Sequence, residues 1–92
     1  PLTPEFMGQL IAGLHQIRWN EGSRFAYYEF DEETALFVDG EQYLLRGDAG
    51  PIAGLLCAGT RPDIERLAGF ATDDAICGLL CTLANQGSLY FE

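Results

Sequence analysis

Hydrophobic and polar positions divide the chain into stretches of different spacing, and the first of them is helical. Thr3-Pro4-Glu5 combines a capping side chain, a proline suited to the first helical position and an acid that complements the helix dipole. Apolar residues then recur at helical spacing, at Phe6, Leu10, Ile11 and Leu14. The pattern predicts a helix from about residue 4 to residue 16 with one face on a core.

Aromatic and branched residues dominate the next stretch and change its period to that of strands. The segments "RFAYYEF" (residues 24–30) and "ALFVDGEQYLL" (residues 35–45) are separated by Asp31-Glu32-Glu33. Asp39-Gly40 interrupts the second segment and is a hairpin signal, because glycine readily adopts the positive φ of a primed turn. We therefore predict three antiparallel strands.

Helical spacing returns in the second half of the chain, in three short pieces. The pattern predicts one helix from about Ile52 to Gly59 and another over residues 63–68. A third is predicted from Asp73 to Gln86, with Thr72 as its cap and Gly87 as its stop. Its apolar face consists of Ile76, Leu79, Leu80 and Leu83.

The chain ends on "SLYFE", residues 88–92, which has the alternation of a strand after the glycine stop. We expect this segment to pair beside the earlier hairpin. Helix, helix, longer helix and strand is the order of a helix-turn-helix followed by a wing. The sequence thus predicts a single α+β domain over residues 1–92, winged-helix-like, with small helices packed on a short antiparallel sheet.

Charge changes the functional interpretation of this fold. The five basic residues are all arginines and face fourteen carboxylates, which gives a net charge of −9. Such a chain repels phosphate backbones and suits basic partners. The predicted reader helix also begins "TDDAICGLL", where base-reading helices present basic or amide side chains. DNA binding is accordingly disfavoured.

Candidate catalytic and metal-binding residues are few. Cys77 and Cys81 lie one helical turn apart, and Cys57 and His15 could complete a metal site with them, but an apolar helix such as "AICGLLCTL" favours reduced core thiols. His15 has no recognisable catalytic partner. Arg46-Gly47-Asp48 is most simply a polar turn. No catalytic, cofactor-binding or metal residue is predicted.

No charged leader and no apolar run of the ~20 residues needed to cross a membrane is present. The expectation is a cytoplasmic protein without membrane or nucleic-acid partners.

Three segments, "SRFAYYE", "ALFVDGEQYLL" and "LANQGSLYFE", occur in an order that resembles one family over nearly all of the chain. The family is the C-terminal winged-helix domain of bacterial JmjC (cupin) ribosomal oxygenases, which use iron and 2-oxoglutarate to hydroxylate an arginine of a large-subunit ribosomal protein. This resemblance implies an accessory domain excised from a larger protein. Fe(II) and 2-oxoglutarate would then belong to the preceding cupin domain, whose iron ligands have no counterpart here.

The carboxylates between the first two predicted strands form the candidate interaction surface, namely Glu29, Asp31, Glu32 and Glu33. If the resemblance holds, this surface could dock a basic ribosomal protein. Solvated turn charges are the simpler interpretation of the same residues. Two alternatives stay open: a structural role, in which Tyr90, Phe91 or the first helix packs on the cupin domain or a second subunit, and a stand-alone DNA-binding winged helix.

Overall fold

The computed structural model describes all residues from 1 to 92 and contains both helices and antiparallel strands. The elements in chain order are α1 (Pro4–Ala12), β1 (Ile17–Trp19), β2 (Phe25–Phe30), β3 (Glu33–Val38), β4 (Glu41–Arg46), a 3-10 turn (Gly47–Ala49), α2 (Pro51–Cys57), α3 (Ile64–Ala68), α4 (Asp74–Asn85) and β5 (Leu89–Phe91). The predicted α+β class is therefore confirmed.

Strands β2, β3 and β4 form the predicted antiparallel sheet, in that order. The turn between β3 and β4 is Asp39-Gly40, with φ of 51° and 88°. Both values are positive, as a type I′ turn requires. Thr34, Leu36 and Val38 alternate on β3 and are buried, so the face of the sheet that carries them is the one that meets the core.

The terminal strand is present, but its predicted partner was wrong. Strand β5 pairs with β1 and not with the hairpin, in the register Ile17↔Phe91, Arg18↔Tyr90 and Trp19↔Leu89. A strand of three residues carries too little alternation to be recognised from sequence, which is why β1 was not predicted. The backbone N–H of Asn20 donates to the Ser88 carbonyl (2.8 Å), so the segment before β5 is anchored beside β1.

Two side-chain contacts join the small sheet to the large one. The Trp19 ring of β1 stacks on Phe25 of β2, with centroids 3.8 Å apart. The Asp39 carboxylate accepts from the Arg24 backbone N–H (2.8 Å) and from the Ser88 hydroxyl (3.0 Å). The bond from the Arg24 backbone, with help from Ser23 and Ser88, lowers the pKa of Asp39 below its ordinary 3.8. The hairpin turn is thus tied to the start of β5.

Helix α1 is shorter than predicted and turns a different face to the core. It ends at Ala12, and Leu14 has a positive φ of 59°, which a continuing helix cannot accommodate. Met7 and Ile11 are buried, whereas Phe6 and Leu14 are 49% and 51% exposed. The prediction of a core position is therefore correct for Ile11 and wrong for Phe6 and Leu14.

Helix α4 confirms the predicted apolar face, because Ile76, Leu79, Leu80 and Leu83 are all buried. Its cap was assigned one residue too early. Asp73 and not Thr72 caps the helix, since the Asp73 carboxylate accepts from the Ile76 backbone N–H (3.1 Å). The predicted stop at Gly87 is confirmed by its φ of 88°.

One hydrophobic core unites these elements. Helix α1 packs on α3 and α4, while α2 packs on β2 and β3. Side chains with no measurable exposure come from β3 and all four α-helices, among them Ile11, Leu36, Ile52, Leu56, Leu67, Ile76, Leu80 and Leu83. Full burial of an aliphatic side chain of this size contributes ~1.5–3 kcal/mol. The core therefore fixes the helices and holds the three-stranded sheet at one side of them.

Candidate functional site

The candidate acidic surface lies at the turn between β2 and β3. Phe30 pairs with Glu33, which leaves Asp31-Glu32 as a two-residue turn, and Asp31 has a positive φ of 45°. An aspartate tolerates this conformation better than most side chains do. Glu29, Asp31 and Glu32 are exposed, and Glu33 is half-buried.

Folding brings all four carboxylates to one concavity of about 1320 Å³. The hairpin turn forms one side of it, and the chain that leads into α2, at Gly50 and Pro51, contributes to the other. Thr34 and Arg46 complete the polar lining. The turn lies close to the start of α2 because of tertiary packing, and no local sequence pattern predicts this proximity.

Only one of the four carboxylates in this concavity forms an ion pair. The Arg46 guanidinium Nε lies 3.1 Å from Glu33 Oε2, directly across the β3–β4 register. Glu29, Asp31 and Glu32 have no basic partner within ion-pair distance. Three exposed carboxylates are thus left to accept hydrogen bonds from cationic groups of another molecule.

The sheet register also separates the four acids. Glu29 pairs with Thr34, and this pair lies on the face of the sheet that meets the core. Glu33 lies on the opposite face, in a row with Phe30 and Arg46. The acidic surface therefore wraps around the tip of the hairpin and does not lie flat on one side of it.

A second feature of the sheet was missed by the sequence reasoning. The face turned away from the core exposes large apolar side chains, with Tyr28 at 65%, Leu44 at 49%, Phe30 at 41% and Phe37 at 37%. These positions alternate with core-facing residues on the same strands. A strand that is apolar on both faces indicates that another layer covers its second face. The segment "FAYYEF" of β2 has this property and could have revealed the patch from the sequence.

Helix α4, in the position of a reader helix, carries no basic residue. Its first turn contains Asp74 after the Asp73 cap, and its exposed positions include Thr82 and Asn85. Of the five arginines, three form ion pairs within the chain, Arg18 with Glu21, Arg46 with Glu33, and Arg61 with Glu92. This arrangement offers little to a phosphate backbone.

The three cysteines are free thiols and do not converge. Burial raises the pKa of Cys57, while burial together with the charges of Asp73 and Asp74 raises the pKa of Cys77. Cys81 donates its thiol hydrogen to the Leu2 carbonyl (3.0 Å). No three histidine, cysteine or acidic side chains lie together in a metal-binding group.

The remaining sequence candidates also occupy simple structural positions. His15 is exposed beyond the end of α1. Gly47, in the Arg46-Gly47-Asp48 tripeptide, has a φ of 54° and begins the 3-10 turn, as the polar-turn interpretation predicts. None of the helices is both long and apolar enough to span a bilayer.

The arrangement of short helices, a longer α4 and an antiparallel hairpin defines a winged-helix-like α+β domain with an acidic hairpin tip. Residues 5–90 match the model of the ROXA-like winged helix family, and the chain belongs to this family. The crystal structure of Escherichia coli ribosomal oxygenase YcfD contains a similar fold, with a TM-score of 0.71 at 16% sequence identity. The match covers 100% of this chain and 24% of the YcfD chain. A comparison with curated protein sequences gives no significant match.

Proposed function

We propose that the chain is a non-catalytic C-terminal accessory domain of a 2-oxoglutarate- and Fe(II)-dependent ribosomal-protein hydroxylase, called the parent enzyme below. Membership of the ROXA-like winged helix family and the fold shared with part of a ribosomal oxygenase support this role. In this proposal both cofactors are held by the cytoplasmic parent enzyme's catalytic cupin domain. The domain contributes protein–protein contacts.

The acidic concavity at the hairpin tip is the observation that carries the interaction role. Glu29, Asp31 and Glu32 are exposed without basic partners, in a chain of net charge −9. A basic ribosomal protein is the complementary partner. Each exposed ion pair contributes only about 0–1 kcal/mol, so the surface acts through several pairs at once and through faster association.

The exposed outer face of the three-stranded sheet favours a second candidate function. Tyr28, Phe30, Phe37 and Leu44 form an apolar patch of the kind that marks protein interfaces. In this alternative the domain packs on its own cupin domain or on a second subunit. Tyr90 is also exposed, at 44%, but it lies on the separate small sheet.

Charge neutralisation at the hairpin tip tests the basic-partner role. The variant Glu29→Gln, Asp31→Asn, Glu32→Gln keeps side-chain size and spares the Arg46–Glu33 ion pair. A matched control with Glu5→Gln, Glu65→Gln and Asp74→Asn removes the same three charges from α1, α3 and α4 and leaves the same net charge of −6.

The assay is titration calorimetry with a basic peptide from a large-subunit ribosomal protein at physiological salt. We expect the hairpin variant to bind at least fivefold more weakly than the control variant, because it loses the local partners as well as the overall field. Equal weakening by both variants would reduce the effect to net charge and contradict docking at the hairpin tip.

A further inference from the structure

Strand β4 is an edge strand, and its outer edge pairs with no other strand. It pairs only with β3, and β3 is the one element that packs extensively against it. The opposite edge of the sheet, β2, is flanked by helix α2. Proteins commonly protect such edges with proline, lysine or a bulge. The β4 sequence "EQYLLR" contains neither proline nor lysine, and its uninterrupted register with β3 shows that it has no bulge.

The pairing pattern shows which backbone groups of β4 point away from the sheet. Glu41 and Val38 close the two-residue turn and exchange hydrogen bonds, so the alternation of an antiparallel ladder makes Tyr43 and Leu45 the next residues bonded to β3. Gln42, Leu44 and Arg46 therefore direct their N–H groups outward. Outside the regular helices and sheets, no hydrogen bond within the chain uses these three N–H groups.

A groove of about 580 Å³ runs along this edge, between β4 and helix α4. This volume falls within the ~300–1,000 Å³ typical of binding pockets. Residues 42–46 form one wall, and Ala75, Ile76, Leu79 and Thr82 contribute to the other. Gly78 also lines the groove, and a Cβ added there would meet no atom within 4 Å. The helix wall thus leaves room beside the unpaired edge.

The backbone donors of the β4 edge and the charges around it indicate what kind of molecule would bind in the groove. A row of outward N–H groups at alternate residues fits an extended backbone. Glu41 stands at the start of β4 and Asp48 just beyond its end, and neither forms an ion pair, whereas Glu33 near that end is paired with Arg46. A second copy of this chain would also carry a charge of −9 and be repelled. An extended segment with basic side chains is therefore favoured over self-pairing.

We propose that the β4 edge and its groove bind an extended basic segment of a partner protein as a fourth strand of the sheet. This inference rests on the proposed interaction role and specifies how the partner's backbone is held. Backbone hydrogen bonds to Gln42, Leu44 and Arg46 supply the recognition of extended structure, while the acids at the two ends attract the positive charges.

The test uses the 92-residue chain and a capped heptapeptide of alternating lysine and valine as the probe. Two further peptides carry N-methyl groups on every lysine amide or on every valine amide, so that each removes the donors on one edge of the extended peptide without changing its charge. Peptide affinity is measured by calorimetry. Amide hydrogen exchange of the protein is followed by NMR.

We expect the unmethylated peptide to slow exchange of the Gln42, Leu44 and Arg46 amides. One methylated peptide should bind at least tenfold more weakly, because it loses the bonds to β4, and the other should stay within threefold of the parent peptide. Absence of binding, or equal binding by both methylated peptides, would overturn the fourth-strand proposal.

A groove variant provides an independent test. Gly78→Leu places a side chain in the groove and should weaken binding at least tenfold, whereas Gly78→Ala should stay within threefold of the original chain. If binding is lost in the hairpin variant of Glu29, Asp31 and Glu32 but survives in Gly78→Leu, the edge proposal fails while the proposed basic-partner role stands.

Discussion

Two helix-interior glycines provide a matched test of the packing, because the same substitution should stabilise the domain at one of them and not at the other. Gly78 lies in α4 and Gly8 in α1. Alanine is favoured over glycine inside a helix by ~1 kcal/mol at either position. A Cβ at residue 78 would meet nothing within 4 Å, but at residue 8 it would lie 2.5 Å from the Ala71 carbonyl oxygen.

Gly78→Ala should therefore stabilise the domain by ~1 kcal/mol, which for a chain of this size raises Tm by ~4–8 °C. Gly8→Ala gains the same propensity but overpacks α1 against the backbone at Ala71, and overpacking costs ~1–3 kcal/mol. We expect its net effect to lie between nearly neutral and a loss of ~2 kcal/mol.

The assay is thermal and urea unfolding followed by circular dichroism, with the urea m-value checked for each variant. We expect the Tm of Gly78→Ala to lie above that of the original chain, and the Tm of Gly8→Ala to lie at or below it. Equal stabilisation by both substitutions would show that α1 does not approach the Ala71 backbone as described. A loss of stability in Gly78→Ala would refute the open groove beside α4.

Two other predictions concern the sheet and its link to β5. Leu36→Ala, at a fully buried position of β3, should lower the free energy of unfolding by ~2–5 kcal/mol in urea denaturation, while a loss below ~1 kcal/mol would contradict its place in the core. The lowered pKa of Asp39 means that its contribution to stability is full above its ordinary pKa of 3.8 and is lost as pH falls through the lower folded value. Asparagine tolerates the same positive φ as Asp39 but carries no titrating carboxyl group, so Asp39→Asn should reduce the fall in Tm between pH 5 and pH 2.5. An unchanged pH profile of Tm would refute the contribution of Asp39.

Local signals predicted much of the fold. The Asp39-Gly40 turn needs only two residues with positive φ, and the apolar face of α4 repeats over two turns, so both are visible in the sequence. Strand β1 was missed because three residues define no period. Phe6 has the spacing of a core residue, yet the orientation of α1 on α4 leaves it 49% exposed.

The candidate site, like the fold, could be predicted from the sequence only in part. The acids of the β2–β3 turn are adjacent in sequence and could be identified as a cluster before folding is considered. Their position beside Gly50 and Pro51, the pairing of Glu33 with Arg46 and the groove between β4 and α4 arise from contacts between distant segments. Such contacts leave no periodic trace in the sequence.

We propose that the acidic hairpin tip binds basic protein and not nucleic acid. The most direct measurement is an amide-shift titration of the isotope-labelled chain with a basic ribosomal-protein fragment, run beside a DNA duplex at physiological salt. We expect shifts around Glu29, Asp31, Glu32 and Glu33 with the fragment and none with the duplex. Shifts on α4 with the duplex, or no shifts at the hairpin tip with the fragment, would contradict it.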